Sequence, residues 1–179
     1  MTDKPALLLD VDGVLCPFGD VDIKVFEQLW LKSNSSPHFA TYLWVWYDPN
    51  NQDRLARLAE HFELVWCTGW ETQANVDLLE PHGLSPLPVI TFSTLSTVVG
   101  ISEEDRRFHN GHWKMPWIIE WAQNERPFAW IDDDILPEAV EWAEARDIPT
   151  LLIKTECHKG MTDDHVEELL EWAQSLTQN

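Results

Sequence analysis

Short, mainly apolar runs divide the chain, and each run ends at a polar residue. Runs without a regular polar alternation are typical of strands buried on both faces of a parallel sheet. The sequence therefore predicts five strands, at residues 6–9, 63–67, 89–92, 128–131 and 150–153.

Between these runs, apolar residues recur at the three- and four-residue spacing of amphipathic helices, as at Leu55, Leu58 and Phe62. Thr162 is expected to cap the last helix, because Asp163 and Asp164 favour the positive end of the helix that follows. The predicted helices span residues 53–61, 72–80, 114–123, 136–146 and 163–176.

Strands that alternate with helices predict an α/β fold, a three-layer sandwich in which a mainly parallel, five-stranded sheet carries helices on both faces. Two stretches do not fit this alternation, residues 20–47 and 93–113. In the first, strand-like runs at residues 26–31 and 41–47 flank a turn-rich segment, which predicts a β-hairpin flap. The second is predicted to be a loop.

Length and composition favour one domain over residues 1–179, since 44% of the residues are hydrophobic and can form a substantial core. The first apolar run meets Asp10 too early for a signal peptide or a membrane span, so we expect a cytoplasmic protein without a membrane partner. The three cysteines form no CxxC pair and fit a reducing compartment.

The formal net charge is -19, from 31 acidic and 12 basic residues. Such a charge repels polyanions, so binding along an extended nucleic acid is disfavoured. A small phosphorylated substrate or a nucleic-acid terminus is compatible with it.

Polar residues that could take part in catalysis follow three predicted strands, and a lysine begins a predicted helix. Each of these features alone is explained by a helix cap or a solvated turn. Together, at the carboxyl ends of parallel strands, they predict one site. They are Asp10-Val11-Asp12-Gly13, Thr68, Lys114 and Asp132-Asp133.

These residue types suit phosphoryl transfer. A carboxylate attacks a phosphoryl group only when a hard cation and a positive side chain neutralise its anionic oxygens. Asp10 is the predicted nucleophile and forms an aspartyl-phosphate, while Asp12 protonates the leaving oxygen and then deprotonates the attacking water. Gly13 allows a sharp turn after these residues.

Other residues of the predicted site bind the substrate or the metal. Thr68 would donate a hydrogen bond to a phosphoryl oxygen, and Lys114 would offset the charge of nucleophile and phosphate. The candidate Mg²⁺ ligands are Asp10, Asp12, Asp132 and Asp133. Asp133 would bind the metal directly, whereas Asp132 would bind it through water or would support the residues that bind it. The candidate substrate-binding residues are Gly13, Gly69, Trp70 and Trp113, the two tryptophans by stacking on a base or sugar.

The chain resembles the haloacid dehalogenase (HAD) superfamily in four motifs: Leu7-Leu8-Leu9-Asp10-Val11-Asp12-Gly13-Val14, Val65-Trp66-Cys67-Thr68-Gly69, Lys114 and Trp130-Ile131-Asp132-Asp133-Asp134. More narrowly, it is similar to the HAD domain of bacterial "Swiss Army knife" RNA repair proteins. Four segments carry that narrower resemblance: Asp10-Val11-Asp12-Gly13-Val14-Leu15 with Pro17, Glu63-Leu64-Val65-Trp66-Cys67-Thr68-Gly69-Trp70-Glu71, His112-Trp113-Lys114 and Ala129-Trp130-Ile131-Asp132-Asp133.

The resemblance implies a Rossmann-like sheet with a flap after the first strand. The large cap domain of many members is expected to be missing from this chain. The resemblance also implies a Mg²⁺-dependent phosphatase and a role at RNA ends. One departure is Pro137, which stands where many members place another acidic residue four positions after the metal-binding aspartate. A paired Asp-Asp variant is also known in the superfamily.

Three functions are compatible with these observations. The first is a Mg²⁺-dependent phosphohydrolase for a small phosphoester or nucleotide, and the second is a nucleic-acid end-processing phosphatase in RNA repair. The third is a catalytically idle module that binds a phosphate-bearing ligand. The pair Asp10 and Asp12 argues against the idle module, and the Asp-x-Asp form favours phosphoryl chemistry over dehalogenation.

Overall fold

The structure, a computed structural model, describes residues 4–33, 41–92, 113–124 and 126–177. Its strands are β1 (Ala6–Leu9), β2 (Glu27–Ser33), β3 (Thr41–Tyr47), β4 (Glu63–Trp66), β5 (Phe128–Asp132) and β6 (Thr150–Lys154). Four of them form a parallel sheet in the order β4-β1-β5-β6, and β2 and β3 pair separately as an antiparallel sheet. The predicted α/β class with a parallel sheet is confirmed.

The helices of the described residues are α1 (Asn51–His61), α2 (Ala74–Asp77), α3 (Leu79–His82), α4 (Met115–Trp121), α5 (Pro137–Glu144) and α6 (Asp163–Leu176). Short 3-10 turns occupy Glu71–Gln73 and Ala122–Asn124. The predicted cap of α6 is confirmed, because the Thr162 hydroxyl accepts a hydrogen bond from the His165 backbone N–H. None of the described helices has the length and apolar character needed to cross a membrane.

Two groups of buried side chains, one on each face of the parallel sheet, form the core. Leu7 and Leu9 of β1 join the group that includes Leu55 of α1 and Leu169 of α6. Leu8 between them joins the group on the other side, with the buried residues Ala6, Val65, Phe128, Trp130, Ile118 of α4 and Ala139 of α5. Since successive side chains of a strand point to opposite faces, β1 lies in the middle of three layers.

The predicted fifth strand at residues 89–92 is reduced to a single bridge between Val89 and Trp66. Pro86 and Pro88 have no backbone N–H to donate to a ladder, and the Leu87 N–H bonds the Asn75 side chain instead. The parallel sheet of the described residues therefore has four strands.

The predicted helix at residues 72–80 is divided into a 3-10 turn and two single-turn helices. Pro81 lacks the N–H that would bond the Asp77 carbonyl, and its ring crowds that carbonyl, so a continuous helix is disfavoured. Gly83 then ends α3 in the left-handed conformation, with φ of 63°.

The hairpin of β2 and β3 is present as predicted, with Trp30 opposite Trp44. Leu31 is buried and Val45 packs against the core, whereas Trp30 and Trp44 are exposed. The role of this hairpin as a flap stays a prediction, and the loop predicted at residues 93–113 lies outside the described residues except for Trp113.

Candidate active site

The carboxyl ends of the four parallel strands meet at one edge of the sheet, and the predicted site residues follow these ends. Backbone hydrogen bonds continue the ladder past the strands, since the Asp10 N–H donates to the Ile131 carbonyl and the Cys67 N–H to the Leu9 carbonyl. The chain therefore holds Asp10, Thr68 and Asp132 with the rigidity of the sheet itself. All three are buried.

Lys114 is the centre of the site. It lies immediately before α4, and only 2% of its surface is exposed. Its Nζ lies 2.8 Å from Oδ2 of Asp10 and 2.7 Å from Oδ2 of Asp132. One lysine thus joins the carboxylates of two neighbouring strands.

Asp132 is held from several sides and is fully buried. Besides Lys114, its Oδ2 accepts a hydrogen bond from Nε1 of Trp130 at 3.1 Å, and its Oδ1 accepts one from the backbone N–H of Asp134 at 3.0 Å. Both oxygens of this carboxylate are therefore already bound by the protein, which agrees with a place behind the metal more than with direct ligation.

Asp10, Asp132 and Asp133 form the group of acidic side chains that could hold a metal ion in the part of the chain described. Each offers an oxygen atom, and these atoms lie within 4.8 Å of one another. Three ionised carboxylates against one lysine leave an excess negative charge of two. Hard oxygen donors with this charge fit a divalent cation such as Mg²⁺.

The acidity of the site reflects this crowding. Burial, followed by the charge of Asp132, raises the pKa of Asp10 to about 7, against the opposing effect of Lys114. Burial and the same Asp132 charge also raise the pKa of Asp133. Although burial opposes its charged form, Lys114 has a raised pKa because Asp10 and Asp132 face it. The site therefore has too little positive charge to keep all of its carboxylates ionised, while Lys114 stays protonated.

Gly13 makes the turn after the Asp-x-Asp pair with φ of 71°, a conformation that glycine adopts without strain. A Cβ at this position would lie 2.5 Å from Cγ of Asp133, so no side chain fits there. The hydroxyl of the buried Thr155, which follows β6, donates a hydrogen bond to the Gly13 carbonyl at 2.7 Å. The Gly13 backbone N–H donates to the Cys16 carbonyl at 2.9 Å. The predicted role of Gly13 in substrate binding stays a prediction.

Asp12 differs from the other carboxylates. It is exposed and does not belong to the three-carboxylate group. Its Oδ2 accepts a hydrogen bond of 2.9 Å from the indole Nε1 of Trp70. Asp12 was predicted both as a metal ligand and as the acid and base. Its contact with a tryptophan fits the acid and base role better than the role of metal ligand.

The loop after β4 carries Thr68, Gly69 and Trp70. The Trp70 backbone N–H donates to the Thr68 hydroxyl at 3.3 Å. A Cβ on Gly69 would lie 3.8 Å from two ring atoms of Trp113, so this ring borders the loop. Trp113 is 51% exposed, packs on Phe92 with ring centroids 4.7 Å apart, and has Lys114 Nζ 5.6 Å from its own centroid.

Three residues of the site were not identified in the sequence as parts of it: Thr155, Trp130 and Glu71. Thr155 had a signal, because it follows the end of a predicted strand as Asp10 and Thr68 do. Trp130 had none, since its position in an apolar run predicts a core residue. Glu71 supports the loop after β4, because its Oε1 accepts a hydrogen bond from the Phe92 N–H at 2.8 Å.

Cys16 and Cys67 lack the lowered pKa of a thiol nucleophile. All three are free, and burial raises the pKa of the Cys16 and Cys67 thiols. These two thiols are buried and stay protonated, as is typical of structural cysteines.

The comparison with protein families gives one match over most of the chain. A family model described as the HAD domain in Swiss Army Knife RNA repair proteins matches residues 6–166. All the candidate site residues lie inside the matched range. A comparison with curated proteins finds no match.

Proposed function

We propose that this chain is a Mg²⁺-dependent phosphatase. The premise is that the chain belongs to the family of HAD domains in Swiss Army Knife RNA repair proteins. The observation that carries this proposal is Lys114, whose ammonium bridges Asp10 and Asp132 beside Asp133. A buried cation between two carboxylates suits a centre where a third anion, the phosphoryl group, must be accepted.

Asp10 is the proposed nucleophile. One of its carboxylate oxygens forms a bond to phosphorus while the bond between phosphorus and the leaving oxygen breaks, which gives an aspartyl-phosphate. Lys114 Nζ, already 2.8 Å from Asp10, neutralises part of the charge that the two anions bring together. Mg²⁺ held by Asp10 and Asp133, with Asp132 behind them, would supply the remaining positive charge.

Asp12 is the proposed acid and base. Its carboxylic acid gives a proton to the leaving oxygen, and the resulting carboxylate accepts a proton from water in the second step. The water oxygen then bonds to phosphorus, and the bond to Asp10 breaks to release phosphate. The exposed position of Asp12 suits a group that must reach both the leaving oxygen and the solvent.

Thr68 and the ring of Trp113 are proposed to contact the substrate. The Thr68 hydroxyl is buried at the end of β4, where it can donate to a phosphoryl oxygen. Trp113 presents a half-exposed ring beside Gly69 and next to Lys114, where a base or sugar attached to the phosphate could stack.

The substrate we propose is a small phosphoester or a nucleotide. A net charge of -19 opposes binding along a phosphate backbone, for which proteins use several lysines and arginines. The second candidate is the terminal phosphate of an RNA end, which the family description favours. The third, an idle phosphate-binding module, would bind phosphate without turnover.

Replacement of Asp10 tests the activity. We expect Asp10→Asn to abolish release of phosphate from a panel of phosphomonoesters while the fold persists, because the amide keeps the shape and loses the attacking charge. The control is Asp48→Asn, since Asp48 is also a buried aspartate bound to a cation, Arg54, and lies outside the site. Wild-type turnover after exhaustive chelation, or turnover in Asp10→Asn, would contradict the proposal.

Salt dependence separates the two substrate classes. The Michaelis constant is measured for a 3'-phosphorylated mononucleotide and a 3'-phosphorylated ten-mer across a salt series. With one or two phosphate contacts beyond the scissile group, the log-log slope of affinity against salt should be about -1 to -2. A strong preference for the ten-mer that disappears steeply with salt would favour the RNA-end function instead.

A further inference from the structure

Trp70 is the one described residue whose side chain is bonded to the proposed acid and base. Its indole Nε1 donates to Oδ2 of Asp12 over 2.9 Å, across 58 positions of the chain. A hydrogen bond to an ionised carboxylate is stronger than one between neutral groups. The contact therefore restrains a side chain that the backbone of the Asp10 turn alone leaves in solvent.

The loop that presents the indole is built around a strained residue. Glu71, the next residue, has φ of 46°, the left-handed conformation that a side chain of this size rarely adopts. Two hydrogen bonds hold it there, from its own N–H to the Thr68 carbonyl at 3.0 Å and from the Phe92 N–H to its carboxylate at 2.8 Å. Such strain persists only where the surroundings fix the conformation.

The Trp70 ring is also fixed by packing. It is half-buried and lies against the core group that contains Leu7 and Leu9. The loop, the ring and the N–H are thus all held before any substrate arrives. Preorganisation of this kind matters most for groups that must transfer a proton at a defined distance.

We infer that Trp70 is a positioning residue for Asp12, holding its carboxyl group where it exchanges a proton with the leaving oxygen and then with water. Nε1 engages Oδ2, and we assign the transferred proton to Oδ1. This inference rests on the proposed phosphatase function. It changes the expected role of Trp70 from stacking on substrate to directing the acid and base.

The two proton transfers define what the loss of Trp70 should do. In the first step the proton on Asp12 moves to the leaving oxygen as its bond to phosphorus breaks. An alkoxide leaving group needs this proton, whereas a nitrophenolate leaves readily without it. A residue that acts only on folding or on phosphate binding has no reason to distinguish these leaving groups.

The experiment is Trp70→Phe, which keeps an aromatic ring against the core and removes the N–H. We expect kcat for an alkyl phosphate to fall about tenfold or more, a part of the roughly 10²–10⁴-fold that acid-base catalysis contributes. With nitrophenyl phosphate the first step should fall much less, as followed by the burst of nitrophenolate. The matched control is Trp66→Phe, which removes an indole N–H bonded to Asn75 and should leave the ratio of the two rates unchanged.

A double-mutant cycle shows whether Trp70 acts through Asp12. In an Asp12→Ala background, Trp70→Phe should cause no further loss with the alkyl phosphate. An equally large loss in that background, or equal losses for both leaving groups, would overturn the inference while the phosphatase function stands. Absence of any Asp10-dependent turnover in the wild type would overturn both.

A direct measurement covers the case in which Trp70→Phe does not fold. Nitrogen–proton NMR correlation spectra of the wild type and of Asp12→Ala are compared. One indole N–H resonance should shift in the variant, and this N–H should lose protection from exchange with solvent. If no indole resonance responds, the contact does not exist in solution and the inference fails.

Discussion

Removal of the Lys114 charge should destabilise the protein. Mg²⁺ and low pH should each recover part of the lost stability. Lys114→Met keeps most of the side-chain volume and leaves Asp10 and Asp132 buried without their shared cation, which lies 2.8 Å and 2.7 Å from them. Breaking a buried ion pair by removing one partner costs about 3–5 kcal/mol. In a chain of this size each kcal/mol lowers the melting temperature by about 2–4 °C, so we expect a decrease of about 6–20 °C at pH 7.

The dependence on metal and pH follows from the same charges. Mg²⁺ should recover part of the loss, because it binds the folded carboxylates and not the unfolded chain. The loss should also shrink as the pH falls from 8 to 5. Asp10 of the wild type, with a pKa of about 7, binds a proton below this pH, and Asp10 of the variant binds one at higher pH because Lys114 no longer lowers its pKa. Below pH 7 only Asp132 therefore still faces the missing cation.

Thermal unfolding followed by circular dichroism tests this at pH 5, 7 and 8, in chelator and in Mg²⁺. The control is Lys159→Met, whose ammonium also lies 2.6 Å from a carboxylate, that of Glu156, but in an exposed pair. Water screens that pair, so its removal should hardly change the melting temperature. A decrease below about 4 °C for Lys114→Met, or one that is the same at every pH, would refute this account of the site.

Three further predictions concern the metal and the turn. Asp133→Asn should weaken Mg²⁺ binding by about tenfold or more and regain turnover at high Mg²⁺; unchanged affinity in calorimetry would show that Asp133 is not a ligand. The Mg²⁺ affinity of the wild type should increase by up to about tenfold for each unit by which the pH increases towards 7, and it should level off above pH 7. Binding displaces the proton that Asp10 carries below its pKa of about 7, and calorimetry in two buffers of different protonation enthalpy counts that proton. Gly13→Ala should lower the free energy of unfolding in urea by more than Gly19→Ala, since both glycines have positive φ but only Gly13 would bring a Cβ against another residue, Asp133; equal losses would mean that the close approach to Asp133 costs nothing.

The positions of the main site residues were predictable because they depend on local sequence and on one rule of topology. An apolar run followed by Asp10, and another followed by Asp132, predicts buried parallel strands whose carboxyl ends carry acidic residues. Such ends meet at one edge of a parallel sheet wherever the strands lie in it. Lys114 was predictable as a cation from its motif, although its contact with both carboxylates was not.

Local pattern failed where a residue's partner is distant in the chain. The strand predicted at residues 89–92 is limited to one bridge, because the N–H of Leu87 bonds Asn75 and Pro86 and Pro88 have none to offer. No periodicity contains such a competition between partners.

What the sequence by itself determined is therefore the α/β class, the buried strands and the residue types at their ends. Only the tertiary structure decided how the two carboxylates of the Asp-x-Asp pair divide, with Asp10 on Lys114 and Asp12 on Trp70. It also decided that Thr155 bonds the Gly13 carbonyl, a contact across 142 positions. The physical reason is that hydropathy is a property of each residue along the chain, whereas a hydrogen bond or an ion pair depends on which distant groups packing brings within about 3 Å.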